Sequence, residues 1–399
     1  MEIHGLLGTV LWKALRDVRM CSGEDARERR RLLRPPNDGV RERFATASEE
    51  AIELAPVLGT FMSLLEDPAV VEPRDLAVAC HRVHEWADQR GLELTAYHFA
   101  EGAAYADPND PVRANFAARM ARRALRRNRA SMWYWRAYKV AVLARNKRES
   151  VYALLGYGTM MKDIGNFREA RKAFDRAARR AVGSGRRREA AEAYHDLFTI
   201  ALEAGKYRLA ERHMATALSI YPARHERIPA LAYDIAFLMI RRRHYSSALS
   251  VLERTVRLIG RREEQALVWS ALAWAAGGAG WRERYREAER LALELVAVFH
   301  DFAPAIYIHL AEGCRALRDW EPAEAYAEAA QESALEREES TLAHEASELR
   351  AAIRRREDAP EEAPEAQHAE TLRRSALARL EKWQAPGPGR PGADPSGPP

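Results

Sequence analysis

The side chains of this chain that could do chemistry are above all arginines. Residues 113–188 hold 22 Lys/Arg and 4 Asp/Glu, a net of +18 in a chain whose formal net charge is only +5. Residues 321–370 invert the balance, with 15 acidic and 5 basic side chains. Charge of one sign gathered in one stretch raises the local potential and draws anionic partners. Arg119, Arg122, Arg126 and Arg129 recur at helical spacing beside Arg123, with Ala121, Ala124 and Leu125 as the apolar side of the same expected helix. A guanidinium matches a carboxylate with two parallel hydrogen bonds, so the ligand expected of this charge is an acidic peptide or protein segment; a solvated helix face with no partner is the alternative reading. Nucleic acid would use the same charge. No helix-turn-helix, zinc finger or aromatic-interleaved RNA motif accompanies it, and that reading is disfavoured. Self-association, basic stretch against acidic end, is a third use of the same pattern.

Other constellations carry less. Cys80 and His84 share a helical face at metal-compatible spacing, but Val78, Val83 and Ala87 around them form a core stripe, so both are assigned to packing. His195, Asp196 and Thr199 lie within five residues with no nucleophile or oxyanion donor implied, so His195 and Thr199 are assigned to groove lining. Gly277-Gly278-Ala279-Gly280 lacks the Lys-Ser/Thr of a phosphate loop and is assigned to a turn between helices. Trp133, Tyr134, Trp135 and Tyr138 are too closely spaced for all to be buried by one helix, leaving one or two as contact anchors; Trp269, Trp274 and Trp281 are assigned to packing. Tyr233 and Phe237, four apart, are the expected apolar contacts of a partner-binding groove. No catalytic residue, metal site or cofactor is expected.

Positioning these side chains requires long helices. Alanine, leucine, arginine and glutamate dominate, and 47% of residues are hydrophobic. One phrase recurs: a glycine or polar turn, an aromatic, then an alanine. Gly165-Asn166-Phe167-Arg168-Glu169-Ala170 is its clearest copy and Gly205-Lys206-Tyr207-Arg208-Leu209-Ala210 the next. Further copies place alanines at 248, 288 and 323, with fainter ones at 96 and 137. Two antiparallel helices cannot bury their apolar faces alone, and stacked neighbours supply the missing wall.

These residues resemble the tetratricopeptide repeat family over roughly residues 75–335. Gly158 takes the place of the family's first-helix glycine and Pro222 that of its terminal proline, whereas Phe198 and Ala236 replace the glycine elsewhere. The resemblance implies an all-α, right-handed superhelical solenoid of about seven helix pairs whose first helices line a concave groove. It implies an adaptor or scaffold that binds protein segments. An N-terminal helical bundle before such repeats is also similar to the peptide-sensing regulators of bacterial quorum systems, here acting through a partner. Members that grip a C-terminal carboxylate use a Lys/Asn set on successive first helices. The corresponding places hold Arg122 with Arg126, Leu155 with Thr159, His195 with Thr199 and Tyr233 with Phe237, so that clamp is not expected.

The remaining boundaries follow from composition. Residues 1–74 read as an N-terminal cap: a helix over Ile3–Met20, a polar break from Ser22 to Arg34, and one helix from Val40 to Leu65 kinked at Pro56. Residues 336–384 read as C-terminal helices: one extended past 335 to Arg356, a Glu/Pro/Ala linker, then Glu370–Trp383. The Pro/Gly-rich residues 385–399 are expected to be disordered. Three scattered cysteines suggest no disulfide framework, and a reduced, cytoplasmic compartment is the expectation. No continuous run of about 18 apolar residues occurs, so no membrane span is expected.

Overall fold

A computed structural model describes residues 2–222, 224–300, 302–337, 339–364 and 367–384. The expected disorder of 385–399 falls outside the described residues. Every regular element among those described is helical. The chain divides into two compact units, Met1–Ile200 and Ala201–Pro399.

The first unit opens with α1 (Gly5–Met20), α2 (Ala26–Leu32), α3 (Asp38–Glu50) and α4 (Ala55–Glu66). Two expectations fail here. The polar break contains α2, capped by the Asp25 carboxylate, which accepts from the Glu28 amide at 2.9 Å. Arg29 of α2 is buried and donates to the carbonyls of Glu24 and Val71 at 3.0 and 3.1 Å, so a charged segment is held by backbone acceptors. The single helix kinked at Pro56 is instead α3 and α4, separated by a short 3₁₀ turn over Ile52–Leu54. Pro56 stands in the first turn of α4, where its missing N–H has no partner to lose. Val10, Leu11, Val18, Phe61 and Phe99 form a common core beneath these helices and the later helix Glu93–Ala106.

Repeats follow as helix pairs. In the first unit these are α5 (Pro73–Asp88) with α6 (Glu93–Ala106), α7 (Pro111–Arg123) with α8 (Arg127–Leu143), and α9 (Lys147–Asp163) with α10 (Phe167–Val182). α11 (Arg187–Glu203) runs through the division between units and precedes α12 (Tyr207–Ile220). The second unit continues with α13 (Ile228–Arg241) and α14 (Tyr245–Thr255), α15 (Arg262–Gly278) and α16 (Arg282–Val296), then α17 (Ala303–Ala316) and α18 (Trp320–Glu336). α19 (Ser340–Arg354) and α20 (Gln367–Gln384) end it. The expected extension past 335 is therefore a separate helix, α19. Consecutive helices pack in chain order from α5 to α10 in the first unit and from α13 to α19 in the second.

One turn is repeated in all seven pairs. A residue with positive φ follows the first helix: Gly91, Leu125, Gly165, Gly205, Arg243, Gly280 or Arg318. The next amide then reaches back to a carbonyl in the helix's last turn, as Arg126 to Ala121 at 2.8 Å, Asn166 to Met161 at 2.8 Å and Asp319 to Cys314 at 2.9 Å. This is a Schellman closure, which satisfies orphaned carbonyls and reverses the chain. It also corrects the register of two copies. Counted from the turn, the counterpart of Ala170 is Ala130 rather than Ala137, and Tyr285 rather than Ala288. Ala137 and Ala288 are nonetheless fully buried, one or two turns along the same face.

Glycines mark where helices touch. A Cβ on Gly158 would meet the Phe174 ring at 2.6 Å, so the family-like glycine of α9 makes room for the aromatic of α10. Gly277 and Gly278 do not form the turn expected of them. They end α15, with a Cβ on Gly277 placed 2.4 Å from the Gly313 carbonyl oxygen of α17, and only Gly280 supplies the turn.

Candidate partner-binding surfaces

The basic stretch is spread over α7 to α10 and the start of α11. Fifteen of its 22 Lys/Arg side chains are exposed. Its four acids are already engaged at home. Asp163 pairs with Arg122 at 2.8 Å, Glu169 with Lys172 at 2.7 Å and Asp175 with Arg171 at 4.0 Å. Glu149 is buried and accepts from the Asn115 amide at 2.8 Å. Acids outside the stretch pair with Arg113, Arg123, Arg129, Arg186 and Arg188, and the surface that remains is still cationic on both first and second helices.

The arginine row of the sequence does not lie on one helix. α7 stops at Arg123, and Leu125, expected on its apolar side, is the positive-φ turn residue and is 77% exposed. An i, i+3, i+4 pattern continued by chance through a turn that reverses the chain. Arg119 is exposed on α7 with its guanidinium 5.2 Å from the Phe116 ring centre, and Arg126 is the exposed cap residue of α8. Arg122 is held by Asp163 across to α9.

Arg129 turns inward. Glu101 of α6 is 1% exposed and accepts from Arg129 at 2.9 Å, Arg19 at 3.3 Å and the Trp133 indole N–H at 2.8 Å. Arg129 also donates to the Tyr105 hydroxyl at 3.0 Å. A buried carboxylate is tolerated only when paired and hydrogen-bonded. Glu101 therefore ties α1, α6 and α8 together, and Arg129 is committed to it. The sequence signal was a lone acid inside the apolar run 94–106. Of the aromatic cluster, Trp133 and Tyr134 are buried, while Trp135 and Tyr138 are half-buried and meet edge to face at 5.9 Å. Arg176 and Arg180 cover Tyr138 from α10.

His195 is buried on α11, and the half-buried Thr199 hydroxyl donates to the Asp196 carbonyl at 2.9 Å. Cys80 is fully buried, with its thiol pushed up to about 12 by burial, and His84 bonds the Ala96 carbonyl at 2.9 Å. Those contacts give both packing roles.

In the second unit the first helices α13, α15 and α17 bring four rings together. Tyr233 stacks on Phe237 at 6.1 Å, and Phe237 meets Trp274 at 5.9 Å and His309 at 5.5 Å. Trp274 and His309 are buried, and the His309 Nδ1 lies 2.9 Å from the Ser270 hydroxyl. Burial, with Arg241 nearby, holds His309 down to about 3, so the ring is neutral. Trp274 and His309 were not foreseen as companions of Tyr233 and Phe237, because they join them from other helices. Trp281, assigned to packing, is instead 50% exposed at the start of α16.

No protein-family model and no curated protein matches this chain. Solved structures do. The apo quorum sensor NprR from B. thuringiensis matches with a TM-score of 0.51 and 11% identity, over 82% of this chain and 98% of that one. The Cut9–Hcn1 hetero-tetramer of the APC/C matches with a TM-score of 0.51 and 12% identity, over 86% of this chain and 62% of that one. Both neighbours are tetratricopeptide-repeat proteins. The fold is a tetratricopeptide-repeat-like helical solenoid. In the terms of that repeat, α5, α7, α9, α11, α13, α15 and α17 are first helices. Their side chains carry the candidate residues Arg119, Arg122, His195, Thr199, Tyr233 and Phe237, whereas Arg126 and Arg129 belong to a second helix and its cap. No described helix is long and apolar enough to cross a membrane.

Proposed function

We propose that this repeat protein is a binding adaptor whose first unit engages an acidic segment of a partner protein. The observation that carries the reading is the exposed excess of positive charge over residues 113–188, whose few acids are already engaged locally. Arg119 and Arg126 are its central contacts, because both are exposed, whereas Arg122 and Arg129 hold Asp163 and Glu101. The half-buried Thr199 of α11 is a further contact of this unit, whereas His195 is buried and out of a partner's reach; Tyr233 and Phe237, half-exposed at the rim of the ring cluster, are a separate apolar surface of the second unit. Recognition needs no chemistry beyond charge-assisted hydrogen bonds to carboxylates.

The test is binding of a labelled acidic peptide, measured at low and high salt, for the wild type and for R119E/R126E. Charge reversal at both sites weakens binding by tenfold or more and flattens its salt dependence. Equal affinity in the double variant would overturn this placement. Tighter binding of a DNA or RNA oligonucleotide than of any acidic peptide would move the surface to nucleic acid. A second reading, a peptide-sensing regulator, is favoured by the bundle α1–α4 packed ahead of the repeats and by the fold shared with the quorum sensor NprR. A change of solution scattering on peptide addition separates a sensor from a rigid scaffold.

A further inference from the structure

The second unit contains a helix that has left the order of the stack. α19 already covers the last pair by packing on α17 and α18, so the stack does not need α20 for its end. α20 instead packs on α13 and α14, more than a hundred residues back along the chain. It reaches them through residues 357–364, which form no helix or strand.

The seating of α20 is specific at both ends. Ahead of α20, in the segment 357–364, the Glu362 carboxylate accepts from the Ser246 amide at 2.7 Å and the Ser246 hydroxyl at 3.0 Å, in the first turn of α14. The Ala363 amide donates to the Arg243 carbonyl at 2.8 Å. At the far end, Glu381 pairs with Arg254 at 3.4 Å and the Trp383 indole N–H donates to the His225 carbonyl at 3.1 Å. The Arg379 guanidinium bridges the Tyr221 and Leu218 carbonyls. These anchors make α20 run parallel to α14 and antiparallel to α13. Between them Ala369, Leu372, Ala376 and Leu380 point into the contact and are all buried. Their spacing is one stripe of a helix, the pattern by which helices are read in grooves.

We propose that the α13–α14 face is a docking groove for an amphipathic helix of a partner protein, and that α20 is its resident, displaceable occupant. The partner's helix carries the chemistry that α20 displays: a small-and-leucine stripe, a guanidinium for the Leu218 and Tyr221 carbonyls, and an indole or other donor for the His225 carbonyl. Its polar anchors are mostly backbone carbonyls and a helix start, which any segment of this pattern can use, joined by the Ser246 hydroxyl and the Arg254 guanidinium. Tethering gives α20 an effective concentration on the order of 1 mM, so a partner helix competes only by binding tighter or by arriving in excess. This surface is independent of the basic face of the first unit.

The experiment uses the full chain. L372E/L380E places two carboxylates in the buried stripe and releases α20 while leaving the groove residues untouched. A fluorescent peptide of residues 367–384 then binds this variant in a one-to-one complex, and binds the wild type at least about tenfold more weakly because its own helix is seated. An R379A peptide binds the variant about tenfold more weakly than the unaltered one. Circular dichroism and thermal unfolding establish that the variant keeps its repeats. As a second route, wild-type protein with a protease site inserted between Ala359 and Pro360 is cut and challenged with peptide in excess, so the result does not hang on one substitution. A folded variant that ignores the peptide, or a wild type that binds it as well as the variant does, would overturn the proposal. Exchange of α20 between two wild-type copies into a stable dimer would also overturn it, by giving the groove to a second copy.

Discussion

Replacing Gly277 by alanine tests how closely the repeats of the second unit are stacked. An added Cβ falls 2.4 Å from the Gly313 carbonyl oxygen and 2.7 Å from the Gly313 Cα. An ordinary carbon–oxygen contact is about 3.4 Å, so α15 and α17 must separate locally by about 1 Å. Both sides of the contact are backbone, which cannot rotate away as a side chain would. Overpacking of this kind costs about 1–3 kcal/mol. Alanine in a helix gains back up to about 1 kcal/mol over glycine. The net expectation is a destabilisation of about 1–2 kcal/mol. Gly59 of α4 is the matched control, because a Cβ there meets nothing within 4 Å. G59A therefore shows the propensity gain alone and stabilises by about 0.5–1 kcal/mol. The assay is urea unfolding followed by far-UV circular dichroism, with hydrogen exchange to assign each change to its unit, since two units need not unfold as one. A neutral or stabilising G277A would refute the reasoning, because the contact would then not be closed by backbone.

Further expectations follow from single contacts. Leu125 is exposed in the left-handed region at φ 55°, so L125G should stabilise the first unit by about 0.5–1 kcal/mol in the same unfolding assay. E101A removes the carboxylate shared by Arg19, Arg129 and Trp133. The arginines are 35% and 42% exposed and recover some hydration, so the cost is about 2–3 kcal/mol rather than the full penalty of a buried pair. His309 binds a proton near pH 3 in the fold and near 6.5 when unfolded, so the unfolded chain holds more protons between those values. Stability therefore falls as pH drops through that window, by up to about 1.4 kcal/mol per unit. Unfolding at pH 7, 6 and 5 should show a shallower decline for H309Q than for the wild type.

What the sequence made legible was whatever repeats. The alanine phrase located a second helix in each of the seven pairs, since burial of a small residue at one point of a repeat leaves a mark every 33–41 residues. Its register slipped at Ala137 and Ala288 because alanine recurs along the same buried face, and only the positive-φ turn tells one alanine from the next. The turn itself was hidden wherever Leu125, Arg243 or Arg318 takes the place a glycine holds elsewhere. The docking of α20 was beyond reach for another reason. Its stripe of Leu372 and Leu380 was visible, but periodicity names the face that is buried and not the partner that buries it.

The basic stretch separates two kinds of inference that the arginine row had joined. Net charge is a property of composition, and it survives any rearrangement of helices: 22 cations and 4 anions remain whichever way α7 turns. Position on a face is a property of geometry, and one reversal at Leu125 divides the row between two helices. Geometry then sorts the four arginines by what they already hold. Arg122 and Arg129 stabilise their own fold through Asp163 and Glu101, and their removal reports on folding as much as on binding. Arg119 and Arg126 are exposed, so their reversal changes the surface with little change of the core. A double variant at 122 and 126 would confound the two effects. The pair 119 and 126 keeps them apart, and comparison of R119E/R126E with R122A in both unfolding and binding assays shows which of the two a lost interaction came from.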